Sequence, residues 1–366
     1  MKKVLSLVLI MVMIAALLIT GCTSQKADAP KVEDKNEQIK VGFIYVGPIG
    51  DGGWTYAHNE GRKYLEEQLN VETFYKESVP EGPEVEKVMR DMIDQGATVI
   101  FATSFGYMDY MEKVSKEFPD VKFIHCSGYK MTENMSNYFG RIYQARYLSG
   151  IVAGLKTESN KIGYVAAFNI PEVIRGINAF TLGVQSVNPD AVVSVKWTNT
   201  WYDPAKEKEA AIALLDEGAD VIAQHQDTAG PQIAAEERGK WSVGYNTDMK
   251  DTAPKAYMTA PIWNWGPYYV DQVQAIMEGT WEAKSYWGGM DEGIVELAPL
   301  TENAPAEAKA LVEKAQEEII AGTQKIFVGP IKDQTGEVKV PDGVMMTDVE
   351  MLSFDWFVQG VEGNVK

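Results

Sequence analysis

From Val41 onward, short apolar runs alternate with stretches whose apolar residues recur every three or four positions. The runs KVGFIYVG (40–47), VETFY (71–75), TVIFAT (98–103) and VKFIHC (121–126) have the length and branching of strands buried on both faces. After the first run the pattern predicts a helix to about Leu69. After the second, Val85, Val88, Met89, Met92 and Ile93 share one helical face, and Gly96 stops that helix. Strands alternating with amphipathic helices predict an α/β fold, a doubly wound parallel sheet with helices on both faces.

The same text then returns. Met92–Ile100 (MIDQGATVI) recurs as Leu214–Ile222 (LLDEGADVI), KVGF (40–43) as KIGY (161–164), and VKFIHC as WSVGYN (241–246), all at nearly one spacing. Two copies of one unit are therefore expected, with ligands in the crevice beyond the carboxyl ends of the strands. The loops at those ends are GPIGDGGW (47–54) and TSFGYMD (103–109, with Phe105 and Gly106). From the second copy come AFNIPE (167–172), TNTWYDP (198–204), QHQDTAG (224–230) and YNTDM (245–249). They are rich in aromatic, amide and carboxylate groups, with Lys250 the one cation close by. An anion would call for arginine, lysine or helix N-termini, so the cleft suits an uncharged or mildly basic flat molecule.

Composition adds an address. Lys2 and Lys3, the apolar run Val4–Ile19 and the small-residue exit before Cys22 form a secretory leader of bacterial lipoprotein type (1–22), with lipid on Cys22. An uncleaved membrane anchor is the alternative. Residues 23–39 are polar and charged and read as a flexible tether. The 325 or so residues beyond exceed what one core usually holds, so two lobes are expected. Cys126 has no partner for a disulfide, and the formal charge of −18 disfavours nucleic acid and anionic lipid.

Reactive chemistry finds no foothold. The glycines at 47, 50, 52 and 53 spell neither G-x-G-x-x-G nor a P-loop, and Asp51 among them is readable as a helix cap. His58, His125 and His225 are scattered, with His225 and Asp227 read as a cleft pair rather than a metal site. No G-x-S-x-G elbow occurs, and no cofactor motif. The chain is expected not to be an enzyme. Trp54, Trp201, Trp263 and Trp265 fall at strand ends or connections in both copies, which suggests a stacking clamp for a planar ring.

The segments IYVGPIGDGGWTYAHNEGR, FGRIYQARYLSGIVAG (139–154), WYDPAKEKEAA (201–211) and IFVGPIKDQTGEVKVPDG (326–343) resemble the BMP/PnrA family, lipoprotein ligand-binding components of ABC transporters. The resemblance covers about Val41 to Val361. It implies a type I periplasmic-binding-protein fold of two lobes joined by a hinge, a membrane permease as partner, and a purine nucleoside as ligand. It also implies that Asp51 bonds the ligand, and that Trp54 and Trp201 replace stacking phenylalanines. Asn246 and Asp248 sit where the family has a ribose-contacting pair. Gln226 and Asp227 stand where small residues are usual, and Trp263 where a lysine is common. These larger side chains shrink the space for a ribose, so a free purine base is expected over a nucleoside. Asp51, Asn169, Asp227 and Asp248 are the expected partners of the ring's edge. Lobe one is expected to span 40–157 plus about 262–281, and lobe two 158–261 plus about 282–366, with the C-terminal segment crossing between them around Trp356.

Overall fold

Two parallel sheets organise residues 39–365, the part of the chain that the computed structural model describes. The leader, Cys22 and nearly all of the expected tether lie outside the described residues. In the first sheet β1 (Lys40–Ile44), β2 (Glu72–Lys76), β3 (Val99–Ala102), β4 (Lys122–Cys126) and β5 (Met135–Gly140) lie in the order β2-β1-β3-β4-β5. In the second, β6 (Lys161–Ala166), β7 (Val192–Trp197), β8 (Val221–His225), β9 (Trp241–Val243) and β10 (Tyr257–Thr259) repeat it as β7-β6-β8-β9-β10. The repetition extends to register. Val41 pairs with Val99 in one sheet, and their counterparts Ile162 and Val221 pair in the other. β1, β3, β6 and β8 are buried along nearly their whole length, as strands covered on both faces must be.

Helices α1 (Trp54–Leu69), α2 (Glu84–Asp94) and α3 (Met108–Glu117) belong to the first sheet. Then come α4 (Tyr143–Lys156), α5 (Pro171–Val187), α6 (Pro204–Asp216) and α7 (Gly230–Glu237). The repeated glycines end equivalent helices with left-handed backbone, Gly96 at φ +94 and Gly218 at φ +99.

The lobe boundaries differ from those expected. Helix α4 lies against α5 so closely that a Cβ on Gly150 would come 2.1 Å from the carbonyl oxygen of Phe180. The chain therefore changes lobe at Arg141–Ile142, before the helix, rather than near 157. Apolar on most of its faces, α4 sinks between α5 and a later helix instead of covering the first sheet.

The chain returns after β11 (Pro261–Trp263). There α8 (Gly266–Glu278) packs on α1, and β12 (Ser285–Gly288) pairs in parallel with β5, extending the first sheet. Residues 282–288 thus join lobe one, not lobe two. The final crossing follows Gly288, and β13 (Val295–Leu297) pairs antiparallel with β11 where the lobes join.

Beyond α9 (Ala308–Ile320), which packs on α4, come a hairpin of β14 (Ile331–Lys332) and β15 (Val338–Val340), then α10 (Asp348–Leu352). Last, β16 (Val361–Glu362) adds to the edge of β7. Phe354 and Phe357, both 1% exposed, anchor this tail more deeply than Trp356. Arg141 clasps it through a two-pronged bond to Asp348 at 2.9 and 2.7 Å. Among the described residues no helix is long and apolar enough to cross a membrane.

Candidate functional site

A sheet ordered as each of these is opens its crevice where the strand order reverses, between β1 and β3 and between β6 and β8. The two crevices face each other. The loop after β1 meets the loop after β8 so tightly that a Cβ on Gly53 would fall 2.2 Å from the Asp227 carbonyl oxygen. Only glycine permits that approach. Thr247 donates its hydroxyl to the Gly52 carbonyl, and Trp201 Nε1 donates to Glu81 Oε2 at 3.2 Å across the gap. The lobes are closed. Between them Val46, Trp54, Ser104, Phe105 and Ser127 face Glu172, Trp201, His225, Asp227 and Tyr245 around a cavity of ≈ 20 Å³. That is room for little more than a water, so a planar guest must part Phe105 and Trp201, the two half-buried rings of the lining.

The two aspartates of this junction are treated differently. Asp51 Oδ1 accepts from the backbone N–H of Gly53 at 2.8 Å and of Tyr56 at 2.9 Å, and Oδ2 accepts from Thr55 at 2.9 Å. Its carboxylate thereby satisfies donors that the start of α1 would leave orphaned. Burial nevertheless pushes it up to about 6, the backbone donors pulling the other way. Both its oxygens are engaged in holding the turn, and it does not line the cavity. Asp227, 3% exposed, does line it. Its Oδ1 meets Asn246 Nδ2 at a distant 3.4 Å, and Oδ2 is buried with no partner. Burial, then the charges of Asp51 and Glu207, push this carboxyl well above its ordinary range.

The tryptophans divide likewise. Trp54, 8% exposed, donates Nε1 to the Thr103 carbonyl at 2.7 Å and is wedged edge-on against His58, Trp263 and Trp265. It is a cavity wall built into the core of lobe one. Trp263 stacks on Trp265 at 4.5 Å and gives Nε1 to Asn246 Oδ1 at 3.0 Å, so it sits behind the wall. Trp201 is half-buried, edge-to-face with Phe168 at 5.1 Å and otherwise facing the gap.

Other expected site residues are placed elsewhere. Asn169 is exposed and donates to the Val365 carbonyl, drawn to the C-terminal tail. Asp248 is exposed beside Lys250 at 3.3 Å, because the turn after Asn246 (φ +73) directs it outward. Gly106 gives its N–H to Glu81 Oε1 at 2.8 Å and is a loop support. Gln226 and Asn246 are fully buried; Gln226 donates Nε2 to Thr198 at 2.5 Å with its Oε1 left unpartnered, and Asn246 is bonded to Trp263.

Sequence reasoning passed over Glu172, Tyr245 and Ser127, although two of these sit inside strand-end loops it named. His225 pairs with Glu172 at 3.4 Å, not with Asp227, and burial lowers its imidazole to about 4, so it is neutral. Beneath it Arg146, fully buried, lies 3.6 Å from the Tyr245 ring and donates to the Gln224 carbonyl at 2.6 Å. Among the described residues no group of three or more His, Cys, Asp or Glu is arranged for a metal. What the cavity offers is ring faces and a polar edge.

A family model described as ABC transporter substrate-binding protein, PnrA-like, matches residues 38–335. The chain is 45% identical over 328 residues to a purine-binding protein of Brucella abortus, covering 89% of this chain and 93% of that one. It is 42% identical over 332 residues to a protein of Haloferax volcanii provisionally named an ABC transporter glucose-binding protein, covering 90% and 82%. Among solved structures, a solute-binding protein of an ABC transporter system from Aeropyrum pernix superposes with a TM-score of 0.69 at 20% identity, covering 81% of this chain and 93% of that one. One from Conexibacter woesei gives 0.65 at 23%, covering 78% and 98%.

Proposed function

The chain belongs to the PnrA-like family of ABC transporter substrate-binding proteins, and from that premise we propose that its cleft captures a purine, a free base in preference to a nucleoside, for delivery to the transporter's permease. It is a binding protein of two type I periplasmic-binding-protein lobes, not an enzyme. The observation that carries the purine reading is the lining. Rings from both lobes (Trp54 and Phe105 from one, Trp201 from the other) share one narrow cavity with Glu172, His225 and Asp227. Ring faces hold a flat guest and the polar groups read its edge.

The two relatives point to different ligands, a purine and glucose. A sugar needs a girdle of free donors and acceptors for its hydroxyls. Here both oxygens of Asp51 and the side-chain oxygen of Asn246 are already bonded to protein. The same facts favour base over nucleoside, since Asn246 is tied to Trp263 and Asp248 is exposed, leaving no ribose partner at those positions.

Capture proceeds by lobe closure. A ligand that touches both lobes binds the closed form better and shifts the population towards it. The leader and Cys22 place the protein, by this reading, on the outer face of the membrane through a lipid. Replacing Cys22 by Ser then releases it from the membrane fraction. Calorimetry on the soluble chain beginning at Thr23, with adenine, hypoxanthine, inosine, guanosine and glucose, tests the ligand. A base binding tightest supports the proposal. Inosine above every base refutes the base preference, and glucose above every purine refutes the purine.

A further inference from the structure

We propose that Asp227 carries a proton in the closed cleft and gives it, as a hydrogen bond, to an acceptor nitrogen on the edge of the bound ring. The inference rests on the purine reading and says how the cleft would recognise one. Asp227 follows β8, fixed by its own N–H bonded to the Trp201 carbonyl at 3.3 Å. Its Oδ2 is buried, unpartnered and on the cavity wall.

The groups around it are nearly all acidic or neutral. From the loop before α1 comes Asp51, from α6 Glu207, from the start of α5 Glu172, from β8 the neutral His225, and from beyond β9 the amide of Asn246. Three of these neighbours can be carboxylates. The buried cations of lobe two do not act on it: Arg146 donates Nη1 to the Gln224 carbonyl and lies over Tyr245, its Nε and Nη2 unpartnered, and Arg175 donates to the Met351 carbonyl.

Among these acids the proton has one best seat. Asp51 accepts from three backbone N–H groups, Glu207 accepts from Thr228 N–H at 3.2 Å and Thr228 Oγ1 at 2.5 Å, and Glu172 is only half-buried. Asp227 has only the long contact to Asn246. When acids share a dry space, the one with the fewest donors takes the proton first.

Closure makes this site. Asp51 and Gly53 stand on lobe one and Asp227 on lobe two, so an open cleft admits water to Asp227 and removes a negative neighbour. Closing therefore draws a proton from solvent. The consequence is chemical selectivity. A ring nitrogen with a lone pair needs a donor, which a protonated carboxyl supplies and a carboxylate cannot. A sugar hydroxyl can donate to a carboxylate, so its capture needs no proton. An unmatched edge leaves a buried group unpaired and is rejected.

Calorimetry of the soluble chain with adenine, in buffers of different ionisation enthalpy between pH 6.5 and 8.5, tests the step. The expected result is uptake approaching one proton, and a Kd that weakens by up to about tenfold per pH unit. Asp227→Asn, a neutral donor at every pH, abolishes both the uptake and the slope. Tight adenine binding with no uptake and a flat profile overturns the inference while leaving the purine reading standing.

Thermal melts with saturating adenine, which holds the lobes closed, give a second reading of the proton's seat. A raised acid contributes stability that is full below its unfolded value of about 3.9 and is lost as pH rises. The Tm of Asp227→Asn should therefore gain on that of the unaltered chain from pH 5 to pH 8.5. A constant difference over that range refutes a protonated Asp227.

Discussion

The two walls that meet in the cleft carry the same pair of residue types, an aspartate and a tryptophan, and use them in opposite ways. On lobe one Asp51 spends both carboxylate oxygens on the turn into α1, and Trp54 is locked among His58, Trp263 and Trp265. On lobe two Asp227 keeps an oxygen free, and Trp201 hydrogen-bonds lobe one through Glu81. One wall is scaffold and the other is left for the guest. Residue type and position alone do not separate binding from support; what each polar atom already bonds does.

The comparison breaks most visibly at Trp54. Truncating a fully packed aromatic side chain leaves a cavity and costs about 3–5 kcal/mol, so Trp54→Ala should unfold at markedly lower urea. A loss under about 1 kcal/mol would show that Trp54 is a stacking plate and not a wall. Asp51→Ala ranks next. It orphans three N–H groups at a helix start, and a lost cap costs about 0.5–2 kcal/mol, here at the upper end because the site is buried. Asp51→Asn, which keeps one acceptor, should recover part of the loss. Equal stability of all three chains would remove the capping role and return Asp51 to the ligand.

Much of this architecture is legible in the sequence. The duplicated MIDQGATVI and LLDEGADVI mark equivalent helix ends and strands, since both need a left-handed glycine before a buried strand. Once each half is a doubly wound sheet, the cleft follows from topology. The lobe boundaries were not legible, because helical periodicity shows that α4 has apolar faces without naming the partner that covers them. Nor was β12, four residues whose place is set by the exposed edge of β5 rather than by any pattern of its own. At the site, Trp54, Phe105, Trp201 and Asp227 stand in the cavity lining. Asn169 and Asp248 do not, since a side chain at a strand-end loop is aimed by the local turn, which spacing cannot reveal. Glu172 closes the named loop AFNIPE yet already stands in a helix that begins at Pro171, and the pattern does not show which way it faces.

On the other wall the predicted effects move from folding to binding. Trp201 is half-buried, so Trp201→Ala should change stability by less than about 1 kcal/mol. By removing one ring face it should weaken a purine about tenfold, some 1.4 kcal/mol. The reverse outcome, lost stability with unchanged affinity, would erase the distinction between the two tryptophans. Titration of the variant with adenine beside a thermal melt reads both at once.

The smallest effect sharpens the comparison most, because it lies on the seam. Glu81 accepts from Ser104 Oγ at 2.5 Å and Gly106 N–H at 2.8 Å with one oxygen, and from Trp201 Nε1 at 3.2 Å with the other. One carboxylate thus positions the loop bearing Phe105 and latches the opposite lobe. Glu81→Gln keeps an acceptor oxygen for one of these duties but puts an amide where the other oxygen stood. Bonds to a charged acceptor are worth about 1.5–3 kcal/mol and neutral ones about 1, and partial exposure of the latch reduces the difference further. Affinity should therefore fall about two- to fivefold, and because the latch exists only in the closed form, the change should appear in the dissociation rate. Stopped-flow tryptophan fluorescence separates the two rates. A slowed association with unchanged dissociation would mean that Glu81 shapes the open cleft, and that the contact with Trp201 holds nothing shut.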